Sequence, residues 1–82
     1  MKHNPSRPAV RDFRRQAKVK RIWLLVPKKK NLYVPGFEGT FYEAFAAAQA
    51  RARSNKTSYE IWEADPVKYR FGGMIKRWAT AH

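Results

Sequence analysis

The chain has no cysteine, which removes disulfide staples and thiolate metal sites and fits a reducing compartment. It also lacks a long apolar run. The longest is IWLLV, residues 22 to 26, too short to span a bilayer or to form the core of a secretory signal. A cytoplasmic or nucleoid-associated protein with no membrane partner is therefore expected. Histidine is scarce: His3 and His82 stand at the two ends, where fraying works against a preorganised site. Ser6, Ser54 and Ser58 have no histidine beside them in the sequence, so nucleophilic catalysis has no visible apparatus. Neither a P-loop nor a dinucleotide fingerprint occurs, and Phe71-Gly72-Gly73 matches neither. Glu60 and Glu63 fall on opposite faces of one expected strand and do not form a carboxylate pair. These absences predict a non-enzymatic protein without metal or cofactor.

What the chain has is positive charge: 18 Lys and Arg against 6 Asp and Glu, a formal +12. Residues 1 to 30 carry a net +10, with Asp12 the sole acid, whereas residues 31 to 82 carry +2. A near-balanced body with a cationic arm is the layout of a binder of nucleic acid or of an acidic surface. In the arm, the guanidiniums of Arg7, Arg11, Arg14 and Arg15 suit bidentate phosphate contacts, with Lys18, Lys20 and Arg21 beside them. VPKKKNLYVPG then sets Lys28, Lys29 and Lys30 between Pro27 and Pro35. If arm and tip share one side, about 6 to 10 phosphates are neutralised, and affinity falls about three to five powers of ten between roughly 50 and 200 mM salt.

Eighty-two residues make one small domain. We divide it into a basic arm over residues 1–18, partly unstructured or a short amphipathic helix, and an α+β domain over 19–82. Ser6 is a candidate cap, with Val10, Phe13 and Ala17 at helical spacing; alone, so short a helix is marginal in water and must dock or order on a partner. VKRIWLLV reads as a strand ending at Pro27, and LYV after the lysines as its hairpin mate. TFYE, residues 40 to 43, is a capping box opening an alanine-rich helix. TSYEIWEA and VKYRF read as two further strands around the Asp65-Pro66 turn, with Phe41, Phe45, Tyr59 and Phe71 under the helix. MIKRWATAH fits either a strand or a helical turn. The expected fold is β-β-α-β-β, a small antiparallel sheet packed on one main helix.

Twelve aromatic residues exceed what so small a core hides, so some of Trp23, Tyr33, Trp62 and Trp78 are candidates for base stacking or partner contact. GFEGTFYEAFAAAQARAR, residues 36 to 53, loosely resembles the strand–turn–helix of AP2-type and integrase-arm DNA-binding domains. It covers under a quarter of the chain. Two strands precede the helix here, where those domains have three, so no functional residue is carried over.

The reading that follows is a small nucleic-acid-binding protein, contacting DNA or RNA phosphates through arm and hairpin tip. The alternative is a protein-interaction module, a phage-type modulator or inhibitor docking on an acidic or nucleic-acid-binding surface of a host enzyme. Two other readings of the arm fit less well. A mitochondrial presequence would need a processing segment before the first strand, and a membrane-lying helix would need more apolar area than Val10, Phe13 and Ala17 supply.

Overall fold

The structure, a computed structural model, describes residues 10–82, with side chains from residue 13 onward. The chain runs α1 (Val10–Ala17), β1 (Arg21–Pro27), β2 (Gly36–Gly39), α2 (Phe41–Asn55), β3 (Tyr59–Ala64), a 3₁₀ turn (Tyr69–Phe71) and β4 (Met74–Ala81). The strands form one antiparallel sheet in the order β2-β1-β3-β4. The expected α+β architecture, a four-stranded antiparallel sheet on one main helix, is the one observed.

Helix α2 starts where its sequence says it should. The Thr40 hydroxyl accepts the Glu43 N–H at 3.2 Å, and the Glu43 carboxylate accepts the Thr40 N–H at 2.9 Å, so two of the unpaired N–H groups of the first turn are satisfied. Lys56 closes the far end in a left-handed conformation at φ 53. Between the caps, Phe41, Ala44, Ala48 and Ala52 turn inward onto Trp23, Leu25, Tyr59, Ile61 and Ala81 of the sheet. Small alanines let the helix axis approach the strands closely, while Trp23 and Phe41 fill the volume at one end. The Trp23 indole N–H donates to the Gly39 carbonyl at 2.9 Å, so the largest buried side chain leaves no polar atom unpaired.

Helix α1 docks on this core. Ala17 is fully buried, and the Phe13 ring lies edge-on to Phe41 at 5.9 Å and near Trp78 at 6.0 Å. A helix of eight residues is too short to stand alone, and this aromatic contact anchors it. Ser6, the expected cap, lies outside the described residues.

Two expectations fail. Leu32–Val34 is not a strand: the carbonyl of Pro35 accepts the Leu25 N–H at 3.1 Å, and regular pairing begins only at Gly36↔Leu24. Nor does VKYRF pair. Asp65 draws the chain into a turn by accepting the N–H groups of Val67 and Lys68, and the ladder resumes at Ala64↔Met74. Phe71 consequently stands in water, 91% exposed, instead of under the helix. MIKRWATA is the fourth strand.

Candidate nucleic-acid interface

The three lysines follow directly from the end of β1. The Lys28 N–H still reaches the Ser58 carbonyl at 2.9 Å, after which the chain leaves the sheet. Lys28, Lys29 and Lys30 are exposed. The Lys29 ammonium donates to the Asn55 carbonyl at 3.2 Å, a cation resting on the negative end of the helix dipole. That contact brings the tip against the last turn of α2, with Arg53 there and Lys56 at its cap. No acid lies between Glu43 and Glu60 in the sequence. Glu60, which lines a pocket of about 360 Å³ with Lys28, Ser58, Thr80 and His82, is already engaged. It accepts the Trp62 indole N–H at 2.9 Å and pairs with Arg77 at 3.0 Å. These bonds, Trp62 first, hold its carboxyl below the ordinary value despite some desolvation.

Ser58 does have a histidine neighbour in space, its Oγ lying 3.0 Å from His82 Nδ1, a pairing across the sheet that sequence order hides. The bond carries no triad, because the nearby Glu60 carboxylate is bonded to Trp62 and Arg77 and not to the imidazole. Among the described residues no group of three or more His, Cys, Asp or Glu is placed to hold a metal ion.

At the other end of β1 stand the described cations of the arm. Arg14, Arg15, Lys18 and Lys20 are exposed. Arg21 is different. Its guanidinium donates to the Gln16 carbonyl and amide oxygens at 2.8 and 2.7 Å, pairs with Glu63 at 3.5 Å and lies 5.2 Å from the centre of the Trp78 ring. It is a clamp between α1 and the sheet, engaged within the fold where the sequence reading grouped it with the phosphate-contacting cations of the arm. Arg7 and the Arg11 side chain lie outside the described residues. Beside the clamp, Phe13, Arg21, Glu63, Lys76, Arg77 and Trp78 line an open groove of about 410 Å³.

The described arm cations and the tip thus stand at opposite ends of β1, whose seven residues set Lys20 and Lys28 about 20 Å apart at roughly 3.3 Å per residue.

The aromatic candidates divide. Trp23 is fully buried and unavailable to any ligand. Trp78 is half-buried, packed at 5.1 Å from Trp23 and 5.3 Å from Phe41, with its indole N–H on Glu63 at 3.0 Å and Lys76 above its ring at 5.4 Å. Trp62 is half-buried on the sheet face away from α2, and Tyr33 is exposed in the lysine loop. Further exposed cations lie outside the cationic first third that the sequence reading weighted: Arg53 and Lys56 at the end of α2, and Lys68, Arg70 and Lys76 on the β3–β4 hairpin.

The chain matches no protein-family model, no curated protein and no solved structure.

Proposed function

We propose that this is a small, non-enzymatic nucleic-acid-binding protein that grips phosphates with two cationic ends of one sheet. One end comprises Lys28, Lys29, Lys30, Arg53 and Lys56; the other, Arg14, Arg15, Lys18 and Lys20, with Arg7 and Arg11 preceding them in the sequence. The observation that carries the reading is where the acids are. Glu43 closes the helix cap, Asp65 the β3–β4 turn, Glu63 holds Trp78 and Arg21, and Glu60 holds Trp62 and Arg77. Among the described residues, these four carboxylates are committed to local structure. Although Glu60 also faces Lys28, the exposed tip cations Lys28, Lys30, Arg53 and Lys56 outnumber the acids near them and favour neutralisation from outside. A polyanion does this with release of condensed counterions. Contacts of this kind position a protein on a backbone without reading sequence.

The test is fluorescence anisotropy with labelled mixed-sequence DNA and RNA across a salt series. The reading expects binding at low salt that weakens steeply as salt rises, and weaker binding still after Lys28→Gln with Lys30→Gln. Absence of any retention at low salt would overturn it and leave docking on an acidic protein surface as the remaining account of the charge.

A further inference from the structure

The loop joining β3 to β4 is closed by its own backbone, yet it turns apolar side chains outward. Asp65 Oδ1 accepts the N–H groups of Val67 and Lys68 at 2.8 and 3.1 Å. The Tyr69 N–H donates to the Asp65 carbonyl at 2.9 Å, the Phe71 and Gly73 N–H groups both to Lys68 at 2.9 Å, and the Asp65 N–H to Gly73 at 3.0 Å. Gly72 sits at φ +80, and a Cβ on Gly73 would meet that of Lys68 at 2.6 Å, so both positions require glycine. Tyr69 turns inward, its ring 3.9 Å from where a Cβ on Gly36 would stand. The result is a fixed loop that presents Phe71 at 91% exposure and Val67 at 81%, with Met74 and Ile75 exposed just beyond. Nothing in the fold gains from holding a phenyl ring in water.

The same hairpin carries Lys68, Arg70 and Lys76, all exposed, and its acid, Asp65, is bonded to backbone N–H groups. It also shares an end of the sheet with the arm, since Trp23 pairs with Glu63 and Glu63 with Lys76. An exposed ring flanked by cations, continuous with a larger cationic surface, has the chemistry of a base-stacking platform. We infer that the β3–β4 loop is a finger that stacks Phe71 on unpaired bases of a single strand while Lys68 and Arg70 hold the adjoining phosphates. This rests on the nucleic-acid reading and adds the substrate class to it. Single strands fit better than duplex, because a duplex exposes no base face until neighbouring pairs are unstacked at a cost. Cations around an apolar tip would also suit an anionic membrane surface. The cations at the far end of β1, which a bilayer engaged by this loop would leave uncontacted, favour a long polyanion.

The experiment compares wild type, Phe71→Ala and Phe71→Trp on a labelled mixed-sequence single-stranded oligonucleotide, on the same sequence as duplex, and on phosphatidylserine-containing vesicles. Phe71 packs on nothing that folding needs, and unchanged thermal melts verify that. The finger predicts that Phe71→Ala weakens single-strand binding about tenfold with duplex binding unaltered. It further predicts that Phe71→Trp restores affinity and is quenched by the single strand. Equal single-strand affinity of wild type and Phe71→Ala overturns the finger while the proposed function stands. Loss of vesicle binding, with nucleic-acid binding untouched, overturns it in favour of a membrane contact. If wild type retains no nucleic acid at all, finger and proposed function fall together.

Discussion

At the residue scale, the carboxylates hold the molecule together more by hydrogen bonding than by ion pairing. Glu43 accepts from Thr40, Asp65 from Val67 and Lys68, and Glu60 from Trp62 and Arg77; each pKa is lowered from its ordinary value, 4.5 for the two glutamates and 3.8 for the aspartate. A folded pKa below the unfolded one means that the unfolded chain takes up protons first. The stability these groups contribute is therefore complete above the ordinary values and is lost as pH falls through the folded ones. Melting temperature should hold from neutrality down to the ordinary carboxylate range and then drop. Glu43→Gln and Asp65→Asn, which keep much of the hydrogen-bonding geometry, should flatten that drop; a melting temperature that rises on acidification would contradict the assignment. Trp23 contributes in a different way, by burial. Trp23→Ala should cost about 3 to 5 kcal/mol by denaturant unfolding, since it empties the core end where Phe41 and Trp78 meet.

At the element scale, α2 was fully legible: capping box, alanine run and first-turn acid all agreed. Thr40→Ala should cost about 1 kcal/mol, measured by the shift in urea midpoint. β1 and β3 were legible for the same reason, periodicity and turn residues pointing one way. β2 was misplaced because Leu-Tyr-Val has strand composition, but Pro35 offers no N–H and the glycine-bounded Phe37 and Glu38 pair instead. VKYRF counterfeited an alternating strand. Its period of two is satisfied by a turn in which Tyr69 goes in while Val67 and Phe71 go out, and the deciding bonds belong to Asp65, a residue outside the run. Helix α1 was expected either to dock on the domain or to order on a partner, and its Phe13 packs on Phe41 and Trp78. Ala17→Asp, which puts a charge where no water reaches, should release it, and limited proteolysis should then cleave after Arg14 or Arg15 much faster than in wild type.

At the scale of the whole molecule, charge acts on folding and on binding with opposite sign. A net +12 repels itself, so added salt should raise the melting temperature of the free protein through screening. The same salt should weaken its hold on nucleic acid. Part of the candidate interface was readable from the sequence, because the lysine run is a hairpin tip wherever its second strand begins. Its division into two ends was not, because only the length of β1 and the direction in which α1 folds back decide where the arm goes. Arg21 illustrates the limit: in sequence it is one more cation of the arm, whereas in space Gln16, Glu63 and Trp78 enclose it. Two ends about 20 Å apart imply that a strand long enough to reach both binds more tightly than one that reaches either.

The most direct test of the account is the slope of log affinity against log salt for a mixed-sequence oligonucleotide, measured for wild type and for the Lys28→Gln, Lys30→Gln pair. The account predicts a steep linear fall for wild type and a slope shallower by about one for each phosphate contact removed. Binding that ignores salt, or a slope the double substitution leaves unchanged, would contradict it.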